Sequence, residues 1–259
     1  MGSIDSFSLS IKPLPQSPRR IWVYLPDGYE ESNAVYPVLY MFDGHNLFDD
    51  SLATYGKSWG MKEYLDSIHL PLVVVGQDCN HTGHKRIEEY CPVDVPAGTW
   101  FKNWKPQGTI TADWFVRKLK PACEKKYRIH KEREYLGIGG SSMGGLMSAY
   151  MIAKYNDVYS KAACVSTTMD ISTPQLIDVI NNSTMSPDTR IYMDFGSREL
   201  KGKNAFAEEV DNMLMINHAF QEKSCNTFPN VVVGGYHSEA TWETIVPLFL
   251  EYLYPDLYH

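Results

Sequence analysis

Short, strongly apolar runs alternate along the chain with longer stretches whose apolar residues recur every three or four positions. That alternation predicts a sheet with helical crossovers. The runs at 38–42 (VLYMF) and 72–76 (LVVVG) are almost uninterrupted, as expected of central strands covered on both faces. The run at 21–25 ends at Pro26 and Asp27-Gly28, a turn signal, and predicts an early antiparallel strand. Further strands are predicted at 135–138, 162–166, 190–195 and 230–233, with room for helices between them. Phe206, Val210, Met213, Leu214 and Phe220 share one helical face. The stretch 110–127 carries Phe115, Leu119, Cys123 and Tyr127 at spacings of four, and Pro121 is predicted to kink or restart it. A last helix is predicted over 239–254 on Trp242, Ile245, Val246, Phe249 and Leu253, with Pro247 near its first turns, where proline is tolerated. The segment 99–108, rich in Trp, Pro and Gly, reads as a loop. With no internal repeat and no low-complexity linker, the expectation is one α/β domain over 1–259: a mostly parallel central sheet, helices on both faces and antiparallel N-terminal strands.

Composition narrows the function classes. The net charge of -7 is spread without long runs of either sign, which argues against nucleic acid as a partner. Apolar stretches fall far short of the roughly 20 residues needed to cross a bilayer, so no membrane span is expected. The opening residues MGSIDSFSLSIKPLPQSPRR lack a basic region followed by an apolar one. Cys79, Cys91, Cys123, Cys164 and Cys225 are odd in number and contain no C-x-x-C pair, as idle thiols in a reducing compartment would be. A cytoplasmic protein is the expectation.

Between the strand ending near 138 and a helix starting near 144 lies Gly139-Gly140-Ser141-Ser142-Met143-Gly144-Gly145, which contains G-x-S-x-G in one register only. Gly140 and Gly144 flank Ser142, whereas Ser141 would have Met143 in the second glycine's place. A strand-to-helix turn this tight leaves no room for side chains at the glycines and exposes the serine hydroxyl at its tip. Ser142 is therefore the candidate nucleophile. The N–H of Met143, at the start of the following helix, is placed to bind the oxyanion formed by attack on a carbonyl.

In this arrangement an acid and then a histidine should follow the serine along the chain. Only His218, His237 and His259 lie beyond Ser142. His218 falls within a predicted helix and His259 is the last residue, whereas His237 sits in Gly234-Gly235-Tyr236-His237-Ser238-Glu239, between the last strand and the last helix. For the acid, Glu199 follows the strand 190–195 and the break Gly196-Ser197, while Asp194 lies in that strand and Asp211 in the next helix. Glu199 is favoured by position, with Asp194 and Asp211 as alternatives. A second oxyanion donor is expected after the strand 38–42, where Gly44 lets Asp43-Gly44-His45-Asn46 turn sharply and offers the backbone N–H of His45.

Four separate stretches resemble the Putative esterase family of α/β-hydrolases, which includes esterase D-like enzymes, feruloyl esterases, siderophore esterases and antigen 85-like mycolyltransferases. They are PVLYMFDGHNLFD (37–49), RIEEYCP (86–92), GIGGSSMGGLMSAY (137–150) and GGYHSEATW (234–242). The resemblance implies an α/β-hydrolase fold, ester hydrolysis through an acyl-serine, and oxyanion donors at His45 and Met143. It also supports His237, and it places Trp242, the aromatic after the histidine, either at the border of the substrate pocket or in the core. The expected protein is a serine carboxylic-ester hydrolase acting on a small-molecule or carbohydrate-linked ester, with no metal or organic cofactor. Acyl transfer to a sugar or other alcohol, and a non-catalytic carbohydrate-binding homologue using Trp59, Trp100, Trp104 and Trp114, are the competing readings.

Overall fold

In the computed structural model, which describes residues 1–95 and 104–258, eight strands join one sheet. They are β1 (Ser3–Leu9), β2 (Arg19–Leu25), β3 (Val38–Phe42), β4 (Val73–Gln77), β5 (Leu136–Ser141), β6 (Lys161–Val165), β7 (Arg190–Gly196) and β8 (Asn226–Val232), in the order β1-β2-β4-β3-β5-β6-β7-β8. From β4 to β8 every neighbouring pair is parallel, and β1 and β2 add antiparallel strands at one edge. This is the fold class expected from the sequence.

The strand ends differ from the sequence pattern for local reasons. The sequence SIDSFSL of β1 alternates polar and apolar residues on a half-exposed edge, so it lacks the dense apolar run that marks β3 and β4. β5 runs on through Gly139 and Gly140, because neighbouring strands press on it: a Cβ at Gly139 would lie 2.6 Å from Met41 Sδ. β8 begins at Asn226 despite Pro229, which an edge strand paired only with β7 accepts.

Eight α-helices are described: α1 (Met61–Ser67), α2 (Lys85–Glu89), α3 (Gly108–Trp114), α4 (Lys120–Lys126), α5 (Met143–Lys154), α6 (Thr173–Asn181), α7 (Lys203–Glu222) and α8 (Glu239–Leu253). A π turn, Phe115–Leu119, joins α3 to α4, and Pro121 falls in the first turn of α4, the restart its missing N–H imposes. Pro247 corrects the sequence expectation. It is the ninth of the fifteen residues of α8, in the helix interior, where burial of Val246, Phe249 and Leu250 around it carries the helix through the lost hydrogen bond. Alternate residues of β3 feed the two faces of the sheet: Val38, Tyr40 and Phe42 join one buried cluster, Leu39 and Met41 the other. No described helix is long and apolar enough to cross a membrane.

One buried ion pair ties the antiparallel edge to the end of α2. Arg19 Nη2 lies 2.7 Å from Glu89 Oε2, with the side chains 3% and 2% exposed, and Glu89 Oε1 accepts the Asn80 N–H at 2.6 Å. Burial raises the Glu89 carboxyl despite Arg19. Arg19→Met leaves that carboxylate without its cation and is expected to destabilise the fold by about 3–5 kcal/mol, read as a lowered urea midpoint. An unchanged midpoint would mean that the pair holds nothing together.

Candidate active site

The chain leaves β5 at Ser141 and enters α5 at Met143, so Ser142 alone makes the turn, at φ 58° and ψ −122°. A left-handed φ at a non-glycine residue costs about 1–3 kcal/mol and persists only where the surroundings enforce it. Here the enforcement is close packing. A Cβ at Gly140 would come within 3.0 Å of the Gly144 carbonyl carbon, and one at Gly144 within 3.0 Å of Phe42 Cβ. Ser141 is the buried last residue of β5, and Ser142 is half-buried at the tip. The Ser142 hydroxyl pairs with Thr168 Oγ1 at 3.3 Å, and no hydrogen bond joins it to a histidine among the described residues.

Two cavities, about 680 and 460 Å³, meet at Ser142, Arg86 and His237. His237 stands in the loop between β8 and α8, 42% exposed, with Nδ1 2.5 Å from Oε2 of a Glu199 carboxylate that is only 1% exposed. The other Glu199 oxygen accepts the Gly196 N–H at 2.6 Å and the Ser166 hydroxyl at 2.7 Å, and the Ser166 oxygen in turn accepts the Trp242 indole N–H at 2.8 Å. Gly196 is required here, since a Cβ would sit 2.8 Å from Glu199 Oε1 and 2.5 Å from the Gly235 carbonyl oxygen.

The other two acids fall elsewhere. Asp194 is buried in β7, where it accepts the Ser166 N–H at 2.7 Å and the Tyr192 hydroxyl at 2.9 Å. Burial pushes its carboxyl up to about 7, the nearby Glu199 charge adds to the rise, and the two hydrogen bonds oppose it. Asp211 is exposed on α7. Of the two remaining histidines, His218 is exposed on α7, and His259 lies outside the described residues.

After β3 the chain turns at Asp43, at φ 56°, into a short 3-10 turn, Gly44–Asn46. Gly44 abuts β4 so closely that a Cβ would lie 2.4 Å from the Gly76 carbonyl carbon. Among the described residues, neither the N–H of His45 nor that of Met143 has an acceptor, although both residues are buried. The loop is anchored by Asp43, whose carboxylate takes two hydrogen bonds from Arg86 at 2.8 and 2.7 Å. Burial alone would raise the Asp43 carboxyl, but the Arg86 charge and its hydrogen bonds outweigh that and hold it below the usual range.

Trp242 is both a core residue and a wall of the smaller cavity: 5% exposed, its ring 5.4 Å from Trp59 and 5.3 Å, edge to face, from His237. Trp59 and Trp114 are buried core residues, and Trp104 stacks on His84 at 4.5 Å. Trp100 and residues 99–103 of the expected loop lie outside the described residues, and Gly108 already opens α3. All five cysteines are free and buried.

Sequence reading passed over Ser166, Thr168 and Arg86. The first two follow β6 at the carboxyl edge of the sheet, where open α/β sheets place their ligands, and that position was the available signal. Arg86 sits in the RIEEYCP stretch but carries no motif of its own.

Comparison with known proteins agrees with this architecture. The protein YbbA of Bacillus subtilis (strain 168) is 25% identical over 197 residues, 74% of this chain and 73% of its own length. A ferulic acid esterase superposes with a TM-score of 0.71 at 18% identity, covering 98% of this chain and 97% of that one. The enterobactin esterase Fes of Shigella flexneri superposes at 0.74 and 15% identity over 99% of this chain, which spans 60% of that longer protein. These two likenesses show the fold. The family model described as "Putative esterase" matches residues 13–247, most of the chain, and the chain belongs to that family of ester hydrolases.

Proposed function

We propose that this chain is a serine carboxylic-ester hydrolase that works through an acyl-serine intermediate. The observation that carries the reading is the convergence of a strained, accessible Ser142 with a His237–Glu199 pair at the junction of two cavities. Glu199, buried and fully hydrogen-bonded, fixes the imidazole with Nδ1 as donor, which leaves Nε2 to take the serine proton. A turn about the Ser142 side chain moves its hydroxyl from Thr168 toward that nitrogen when substrate enters. The unpaired N–H groups of His45 and Met143 receive the oxyanion. An alcohol then leaves, and a water activated by His237 releases the acid.

The two cavities suit the two halves of an ester. The larger is lined by Ile87, Met143, Phe195 and Leu200 and suits an apolar group, whereas His45, Asn80, His81 and Glu239 make the smaller one polar. Trp242 closes the polar side and, through Ser166, holds Glu199 in place. The substrate is a small-molecule or carbohydrate-linked ester, and no metal or organic cofactor takes part in these steps. A fluorophosphonate probe should label the protein at one residue, Ser142, as mapped by peptide mass spectrometry, with the label lost on heat denaturation beforehand. Labelling elsewhere, or none, would sink the proposal.

A further inference from the structure

The wall of the smaller cavity brings together three metal-binding side chains that the esterase steps leave unused. His45, from the turn after β3, and Cys79 and His81, from the loop after β4, each offer one donor atom, and the three atoms lie within 4.8 Å of one another. Cys79 Sγ is 4.0 Å from His81 Nδ1. Tetrahedral zinc, with bonds of about 2.0–2.1 Å to nitrogen and about 2.3 Å to sulfur, holds such atoms roughly 3.3–3.6 Å apart, so closure takes about an ångström of side-chain movement.

An independent observation points to a ligand. His45 is nine-tenths buried, and its Nδ1 makes no hydrogen bond. Its other ring nitrogen is already engaged by Thr54 Oγ1 at 2.9 Å. Edge-to-face packing of the His45 and His81 rings, 4.5 Å apart at 76°, fills space but gives that nitrogen no hydrogen bond. Asp78 Oδ1, 3.4 Å from the same nitrogen, favours positive charge there.

We propose that His45, Cys79 and His81 form a binding site for a borderline-soft divalent cation of the Zn2+ class, with Asp78 or water completing the shell, and that occupancy inhibits the esterase. Binding releases the Cys79 thiol proton to solvent, and the neutral imidazoles ligate without losing one. Inhibition follows from place, because His45 also carries the oxyanion-binding N–H and the ion fills the polar cavity beside Ser142. This second clause rests on the function proposed above, and the binding clause does not.

The test is a titration of the purified, reduced full chain with Co2+, followed by displacement with Zn2+. One equivalent should produce a thiolate-to-cobalt absorption band and four-coordinate visible bands. Cys79→Ser should lose the thiolate band, and His81→Ala should weaken binding at least about tenfold. His81 is exposed, so its variant keeps the test open if Cys79→Ser fails to fold. No saturable band in the wild type, or a band that survives both substitutions, overturns the site. Ester turnover should fall with the same half-saturation by Zn2+ and return with a chelator. Full turnover at saturating Zn2+ overturns the inhibition. A chain that binds Co2+ yet hydrolyses no ester refutes the esterase mechanism and leaves the site standing.

Discussion

Ser142→Ala should lower kcat for a p-nitrophenyl ester by roughly 10⁴- to 10⁶-fold, while the far-ultraviolet circular dichroism and the melting temperature barely move. The two halves of this expectation have separate causes. Loss of the hydroxyl removes the atom that forms the acyl bond, and neither the His237–Glu199 pair nor the N–H groups of His45 and Met143 can replace it. Stability is spared because alanine suffers the same left-handed φ of 58° that the glycines impose on serine, so the strain is unchanged. The lost contact is a single 3.3 Å hydroxyl pair with Thr168 on a half-buried side chain, worth about 0.5–1.5 kcal/mol. A variant that retained more than a tenth of the wild-type rate would remove Ser142 from the chemistry. A variant that melted far below the wild type would show instead that the elbow serine is structural.

How much of this site could be read from the sequence depended on how locally each residue is determined. The elbow was legible because its glycines answer to neighbours two residues either side of Ser142, and His237 because chain order and a loop between β8 and α8 left it without a rival. The strands β3 and β4 were legible because both faces are buried and the apolar run is continuous. β1 was harder, since an edge strand exposed on one side alternates too gently to announce itself. Pro247 misled for a similar reason: helix propensity is local, whereas what holds α8 through its proline is burial against β6 and β7. The Ser166 link between Trp242 and Glu199 joins three segments far apart in the chain, and the approach of His45 to Cys79 and His81 joins two. No spacing rule reaches across such separations.

The choice among the acids separates in one comparison, Glu199→Gln against Asp194→Asn. A glutamine at 199 keeps an oxygen for the Gly196 and Ser166 donors but can turn its amide toward His237 Nδ1. That nitrogen must then accept, so the ring proton moves to Nε2, the nitrogen that takes the Ser142 proton in the proposed mechanism. The expected loss is about 10³- to 10⁴-fold in kcat with KM little changed. Asp194→Asn should cost less than about tenfold, because its amide oxygen still accepts the Ser166 N–H and its NH₂ can donate to the Tyr192 oxygen. Its signature lies in stability. Burial pushes the native Asp194 carboxyl up to about 7, above the 3.8 of an unperturbed aspartate, so between those values the native state holds a proton that the unfolded chain has released. Stability therefore declines as pH rises from about 4 to about 7, and the asparagine variant should flatten that decline in urea unfolding series. Equal losses of kcat in the two variants would dissolve the distinction between them, and a glutamine variant of near wild-type rate would take Glu199 out of the catalytic set.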